Sequence, residues 1–404
     1  QVFHLLDAGI NAGQHEGGGK SLEVRRFGFN LDHGGVNMGL RVMVDNVPQN
    51  HSTQGHGQGY LGSLKTLIPE LVDEVDVING PFSAEYGDYS GLGAVHIRLR
   101  ESLPDAFTLR FQGGSFDTAR GFIAWSPNLR ERDAIFAYEG SYSNGPFLKP
   151  LNYRRDNVSG NYTWRAGLDT RFGLKWNGGL NRFSSSGQVP TDEVFAGRLS
   201  PFGSLSDGDG GYVQGGRLAS YWRRELNGSV LKLDGFLERS LFDLYSNFTF
   251  FLNDAEQGDA IQQHDSRLSQ GANLQYLRPQ TFGWGAGLLT LGGNFLASQN
   301  NVDLRSRLDR NPLEMLTAAH ARVSSGGGYI QESLELAGRR PHRFSRARPD
   351  GQPRPNPPPA QGSPLLHAFP QSTGAAVLSL WPRHRFDRCA RCGPPARRPF
   401  PQYQ

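Results

Sequence analysis

The chain has 404 residues, of which 37% are hydrophobic and 20% charged, with 52 Gly, 25 Pro and only 2 Cys. No run of about 18 apolar residues occurs, which excludes a transmembrane helix; two Cys exclude a disulfide framework, and Gly without a three-residue period excludes collagen. The net charge of +4 is uneven: from Pro341 on, the last 64 residues hold 14 Pro and ten Arg against Asp350 and Asp387, a local +8 that leaves the first 340 residues at −4. The basicity belongs to this tail, so no nucleic-acid partner is read from it.

Residues 1–102 read as an α/β region. Leu40 to Pro48 is a strand stopped by a turn, and Leu61 to Leu71 is a helical pattern with Leu61, Leu64, Leu67, Ile68 and Leu71 on one face. Val72 to Ile78 mixes apolar and acidic residues and breaks at Asn79-Gly80-Pro81, and Ala94 to Leu99 alternates Val95, Ile97 and Leu99 with His96 and Arg98.

Over residues 103–340 the period becomes 2. Alternating, aromatic- and Gly-rich segments run over 106–112, 134–142, 158–168, 170–183, 212–226, 229–250, 262–277, 285–296 and 326–336, about ten strands in all. Arg130 to Asp133 and Asn227-Gly228 are short connections, while Ser184 to Gly211, Asn253 to Asp259 and Asn300 to Ser325 read as long loops. Long alternating strands joined alternately by tight turns and long loops describe an up-and-down barrel in a bacterial outer membrane. A soluble sandwich is the competing reading, but its strands average about 5–6 residues, far shorter than these.

Residues 341–404 have no periodicity, and Pro357-Pro358-Pro359 blocks helix and sheet alike. This Arg-, Pro-, Ala- and Gly-rich text reads as a disordered tail produced by a frameshift near residue 340, with a genuine tail as the alternative. Cys389-Ala390-Arg391-Cys392 lacks the second ligand pair or the βαβ frame that a metal or redox site needs.

Three motifs in order carry a resemblance. They are Arg41-Val42-Met43-Val44-Asp45-Asn46-Val47-Pro48; then Val75 to Gly87, containing Gly80-Pro81 and Glu85-Tyr86-Gly87; then Gly91-Leu92-Gly93-Ala94-Val95-His96-Ile97-Arg98-Leu99. They resemble the plug domain of TonB-dependent outer-membrane receptors, and the period-2 region extends the likeness to about residue 340. Asn46 stands where the family has Gly, and Asn also tolerates the positive φ of such a turn. Ala94 replaces a Gly, and Arg98 replaces an Asn.

The resemblance implies an α+β plug followed by an antiparallel transmembrane β-barrel, here incomplete at about ten of 22 strands and followed by the tail. It implies binding and energised uptake of a scarce ligand such as a ferric siderophore across the outer membrane of a Gram-negative bacterium. The partners implied are that ligand, outer-membrane lipid and the TonB protein of the inner-membrane energising complex. Neither catalysis nor a cofactor is implied. No signal peptide or TonB box is recognisable after Gln1, and half the barrel pattern is missing, so the chain reads as a fragment.

Within that frame, Asp45, Gly80, Pro81, Tyr86, Gly87, Gly91 and Gly93 are expected to shape the plug. The polar loop His51 to Tyr60 is expected to touch ligand through His51, Gln54, His56, Gln58 and Tyr60. His51 and His56 are imidazole donors on a flexible loop, but no metal site is assigned to them. Arg98 and Arg100 are expected to bridge the plug to the barrel wall. Two other readings compete: an adhesion or structural barrel without transport, and a secreted β-rich carbohydrate-active protein, which would need paired carboxylates in a cleft.

Overall fold

Side chains alternate across a strand, so a wall with lipid on one side and a polar filling on the other must read apolar-out and polar-in. The computed structural model describes residues 10–14, 20–24, 40–50, 62–336 and 378–380. Strands β1 (Ile10–Gln14) and β2 (Lys20–Val24) form an antiparallel hairpin. Strands β3 (Leu40–Val44), β4 (Val47–Pro48), β5 (Val72–Asn79) and β6 (Gly93–Leu99) form a small mixed sheet in the order β4-β3-β6-β5, with β3 and β6 parallel. Leu40, Val42, Val44, Val95 and Ile97 make the core of one face with Leu64 and Val75; Met43, Tyr86 and Ala94 pack on the other.

The ten strands that follow are sequential neighbours in one antiparallel sheet: β7 (Phe107–Gly114), β8 (Thr118–Trp125), β9 (Arg132–Ser143), β10 (Tyr153–Ala166), β11 (Thr170–Ser184), β12 (Gly210–Leu226), β13 (Ser229–Ser246), β14 (Ile261–Phe282), β15 (Gly285–Leu308) and β16 (Asn311–Leu336). A three-residue strand, β17 (Leu378–Leu380), pairs with β16 at Gly328–Ile330, inside the stretch read from sequence as a disordered tail. Outward positions such as Leu109, Trp125, Tyr138, Tyr162, Leu218 and Leu237 are exposed, whereas inward Glu139, Asn157, Asn161, Thr163 and Glu238 are buried. Near the tight-turn ends, Trp164 stacks on Phe172 at 5.8 Å, and Phe172 meets Trp222 at 6.5 Å. Such a run of aromatics suits a membrane interface. Asn227 (φ 47°) and Gly228 (φ 80°) join β12 to β13 in a primed two-residue turn, the kind that matches strand twist.

Four expectations change. The Leu61–Leu71 helical face is two 3-10 turns, Gly62–Thr66 and Pro69–Leu71. Pro69 forces the residue before it out of helical geometry, and Ile68 is extended at φ −89°, ψ 118°. The long loop expected over Asn300 to Ser325 is instead the paired ends of β15 and β16, closed at Asp309 (φ 53°) and Arg310. These strands have 24 and 26 residues, against the roughly 9–11 that cross a bilayer. Their paired ends mix polar, small and apolar residues without alternation, so period-2 hydropathy stops marking a strand. Strand β8 has no counterpart among the sequence segments because Ala119, Arg120 and Gly121 interrupt its apolar face. Lastly, the positive φ of the Asp45-Asn46 turn falls on Asp45 (φ 52°), not on Asn46.

Candidate functional site at the plug and wall

The motif residues shape the small sheet, and several also touch the wall. The Asp45 carboxylate Oδ1 accepts the Leu99 amide at 3.1 Å and the Lys175 ammonium at 2.9 Å. Lys175 Nζ also donates to the Leu99 carbonyl at 3.0 Å, and Asn273 Nδ2 donates to the Asn46 carbonyl at 3.0 Å. One tight turn is thus tied to β11 and β14 together. Gly80 (φ 84°) and Gly87 (φ 56°) turn the chain around Pro81 and the Ala84–Tyr86 3-10 turn. That turn reaches the wall: Gln331 Oε1 accepts the Ala84 amide at 3.0 Å, and Gln275 Nε2 donates to Glu85 at 2.8 Å. Tyr86 is buried edge-on to His96, with its hydroxyl 3.3 Å from Nδ1.

Arg98 and Arg100 pair with Asp76 at 3.1 Å and Asp73 at 3.3 Å. Both partners lie on β5, so these ion pairs close within the plug; the expected bridges to the wall are not what the two arginines form. The bridges that exist use other residues. Arg171 pairs with Glu101 at 2.8 Å, and Asn161, Asn157 and Asn177 donate to the Glu101 carbonyl, the Lys65 carbonyl and the Thr66 hydroxyl, each at 2.8 Å. The inward polar positions of β10 and β11 were the available sequence signal. They have no plug partner until the sheet curves around the plug.

His96 sits in this interior as a neutral ring. Burial first, and the nearby Arg98 charge second, push its pKa from 6.5 down to about 4. The unfolded chain therefore takes up a proton at a higher pH than the folded plug does. Plug stability should fall as pH drops from 6.5 towards 4 and level off below that, and His96→Gln should flatten this limb. Urea midpoints measured across pH 4–7 check it; equal slopes for the two proteins would refute it.

A second kind of contact lies at the Pro69–Leu71 turn. Ile68 and Leu71 are buried against Phe122, Ala124, Ile135 and Ala137 of β8 and β9, an apolar seat for the plug on the inner wall. Between them Glu70 receives two hydrogen bonds from Arg120, at 2.8 and 2.6 Å. Burial raises the Glu70 pKa, but the Arg120 hydrogen bonds and charge, with Arg110, outweigh it and hold the carboxyl below its ordinary value.

Between plug and wall lies a cavity. Gln49, Thr66 and Leu67 form its plug side, and Asn177, Arg217, Glu238 and Arg267 lie on its wall side. Gly178 and Gly179 face Gly216 and Gly215 across β11 and β12, so this part of the wall presents backbone rather than side chains. A Cβ on Gly179 would meet Asn157 Oδ1 at 2.1 Å. Buried Arg267 and Asp265 pair at 2.8 Å beside it. The cavity offers hydrogen-bonding and charged groups to a polar solute. Gln49 and Thr66 flank the segment holding His51, Gln54, His56, Gln58 and Tyr60; those five positions lie outside the described residues. A Cβ added at Gly91 would meet nothing within 4 Å, so space does not demand glycine at this position. Among the described residues no cluster of His, Cys, Asp and Glu could hold a metal ion.

Residues 2–94 match the TonB-dependent Receptor Plug Domain family. No curated protein sequence matches the chain. Among solved structures it is similar to the ferric citrate transporter FecA in its unliganded form, with TM-score 0.64 and 14% identity over 83% of this chain and 51% of that one. It is also similar to FpvA of Pseudomonas aeruginosa bound to heterologous pyoverdines, with TM-score 0.62 and 13% identity over 83% and 47%. The open form of the ferric-catecholate import receptor Fiu of Escherichia coli gives 0.59 and 10% over 83% and 56%. The chain spans about half the length of these proteins. It thus carries the plug of the TonB-dependent receptor family at residues 2–94, continuous with a sheet that has the fold of that family's barrels.

Proposed function

We propose that the chain is the plug and part of the barrel of an outer-membrane transporter that takes up a ferric chelate and is energised through TonB. The observation that carries this reading is a plug held mainly by polar contacts to a sheet whose outer face is apolar. Polar contacts can exchange for water when a plug shifts, whereas an interface that is apolar throughout would have to expose its core. The similar structures, which include a ferric citrate transporter, a receptor bound to pyoverdines and a ferric-catecholate import receptor, support the ligand class. Ligand would meet the plug at the segment holding His51 to Tyr60, and no bond need be made or broken.

The test is growth of a deletion strain under iron limitation on a panel of ferric chelates, with and without the intact gene restored. Loss of growth on at least one chelate, with rescue that needs a functional TonB, is expected. Unchanged uptake of every chelate would sink the reading.

A further inference from the structure

The inner wall beside the Pro69–Leu71 turn carries more positive charge than it neutralises. Arg120 on β8 and Arg155 on β10 pair with a single wall carboxylate, the fully buried Glu139, while Arg110 on β7 lies beside the Glu70 carboxylate of the turn. Glu139 accepts from Arg120 Nη2 at 2.8 Å and from Arg155 Nη2. The plug adds a second carboxylate to this cluster. Glu70 takes both Nη groups of Arg120 in a fork, and Arg110 Nη1 stands 3.8 Å from the same carboxylate. A fork of this kind recognises a carboxylate by its planar geometry as well as its charge. The plug supplies that carboxylate from a single 3-10 turn, positioned by Ile68 and Leu71 in their apolar seat.

We propose that Arg110, Arg120 and Arg155 form a carboxylate-binding site on the inner wall that Glu70 occupies while the plug is seated, and that a carboxylate of the passing ligand takes over when the turn withdraws. This rests on the transporter reading and deepens it, since it assigns the transported chelate an anionic, carboxylate-bearing character. Glu70 is then a built-in competitor: the planar fork of Arg120 stays occupied, and the turn reseats once the ligand leaves. Without a carboxylate to exchange, withdrawal would leave the largely buried Arg120 to share Glu139 with Arg155, two cations on one carboxylate.

The test uses the full chain in detergent with citrate as probe, read by titration calorimetry, and needs no transport assay. Glu70→Gln should bind citrate at least tenfold more tightly than the unchanged protein. Adding Arg110→Gln should then weaken that binding at least threefold, while the exposed position of Arg110 leaves folding intact. If Glu70→Gln does not fold, Glu70→Asp keeps the charge but shortens the reach, and should show citrate binding above the unchanged protein. No gain in whichever Glu70 variant folds, or a gain indifferent to Arg110→Gln, overturns the proposal. Citrate binding that behaves as expected in a protein that rescues no chelate uptake would instead sink the transporter reading and leave the site standing.

Discussion

Arg120→Ala should be among the most damaging single substitutions in the interface, costing about 3–5 kcal/mol. Arg120 is the common partner of two carboxylates: Glu70 on the plug and Glu139 on the wall, the latter with no exposed surface. Removing it leaves Glu139 to Arg155 alone and leaves Glu70 with Arg110 at 3.8 Å, too far for a hydrogen bond. The cost arises from stranding buried charge, not from losing a surface ion pair, which is worth at most about 1 kcal/mol. Arg120→Lys should fall in between, since an ammonium keeps the charge but not the planar fork. Urea midpoints in detergent, with proteolysis within residues 62–71 as a local readout of plug seating, decide it. A change below about 1 kcal/mol for Arg120→Ala would mean the network contributes little.

Gly93→Ala should prevent the plug sheet from closing, whereas Gly91→Ala should be nearly silent. Gly93 has φ 137°, and a Cβ there would stand 2.0 Å from the Ile78 carbonyl oxygen. That oxygen belongs to the partner strand, so relief requires β5 and β6 to part where Asn79 pairs with Gly93. The unfavourable backbone conformation alone costs about 1–3 kcal/mol, and the overlap adds to it. At Gly91 a Cβ meets nothing within 4 Å and φ lies outside the left-handed region. Protease resistance of residues 62–100 and urea midpoints of the two variants test the contrast. Equal effects would mean that the two motif glycines serve the same purpose.

The motif glycines show where sequence reading stops. The order of Asp45, Gly80-Pro81, Tyr86-Gly87 and Gly91-x-Gly93 was enough to place the plug, because turns that need particular φ values limit which residues can occupy them. Geometry then separated the two glycines of the last motif, which look alike in text. The ten-strand sheet was equally legible wherever its outer face is apolar and its inner face polar, as from Val158 to Trp164. It was not legible at Asn300 to Ser325, where polar and small residues break the alternation and backbone pairing maintains the strands, nor at Thr118 to Trp125, where small residues and Arg120 dilute the pattern. Pro69 was visible, yet the apolar face around it suggested a helix. The restriction that proline places on Ile68 outweighed the periodicity.

Sequence by itself therefore determined the class of fold, the order of plug and wall, and the turns that require glycine, since these follow from local backbone limits and from alternation. Tertiary structure alone decided which charges meet. Arg98 and Arg100 turned to Asp76 and Asp73 across one strand pair, while Glu70 and Arg120, 50 positions apart, were brought together by the curvature of the sheet around the plug. Ion pairs carry no period and depend on distance through space, so their partners could be known only once the wall had wrapped the plug.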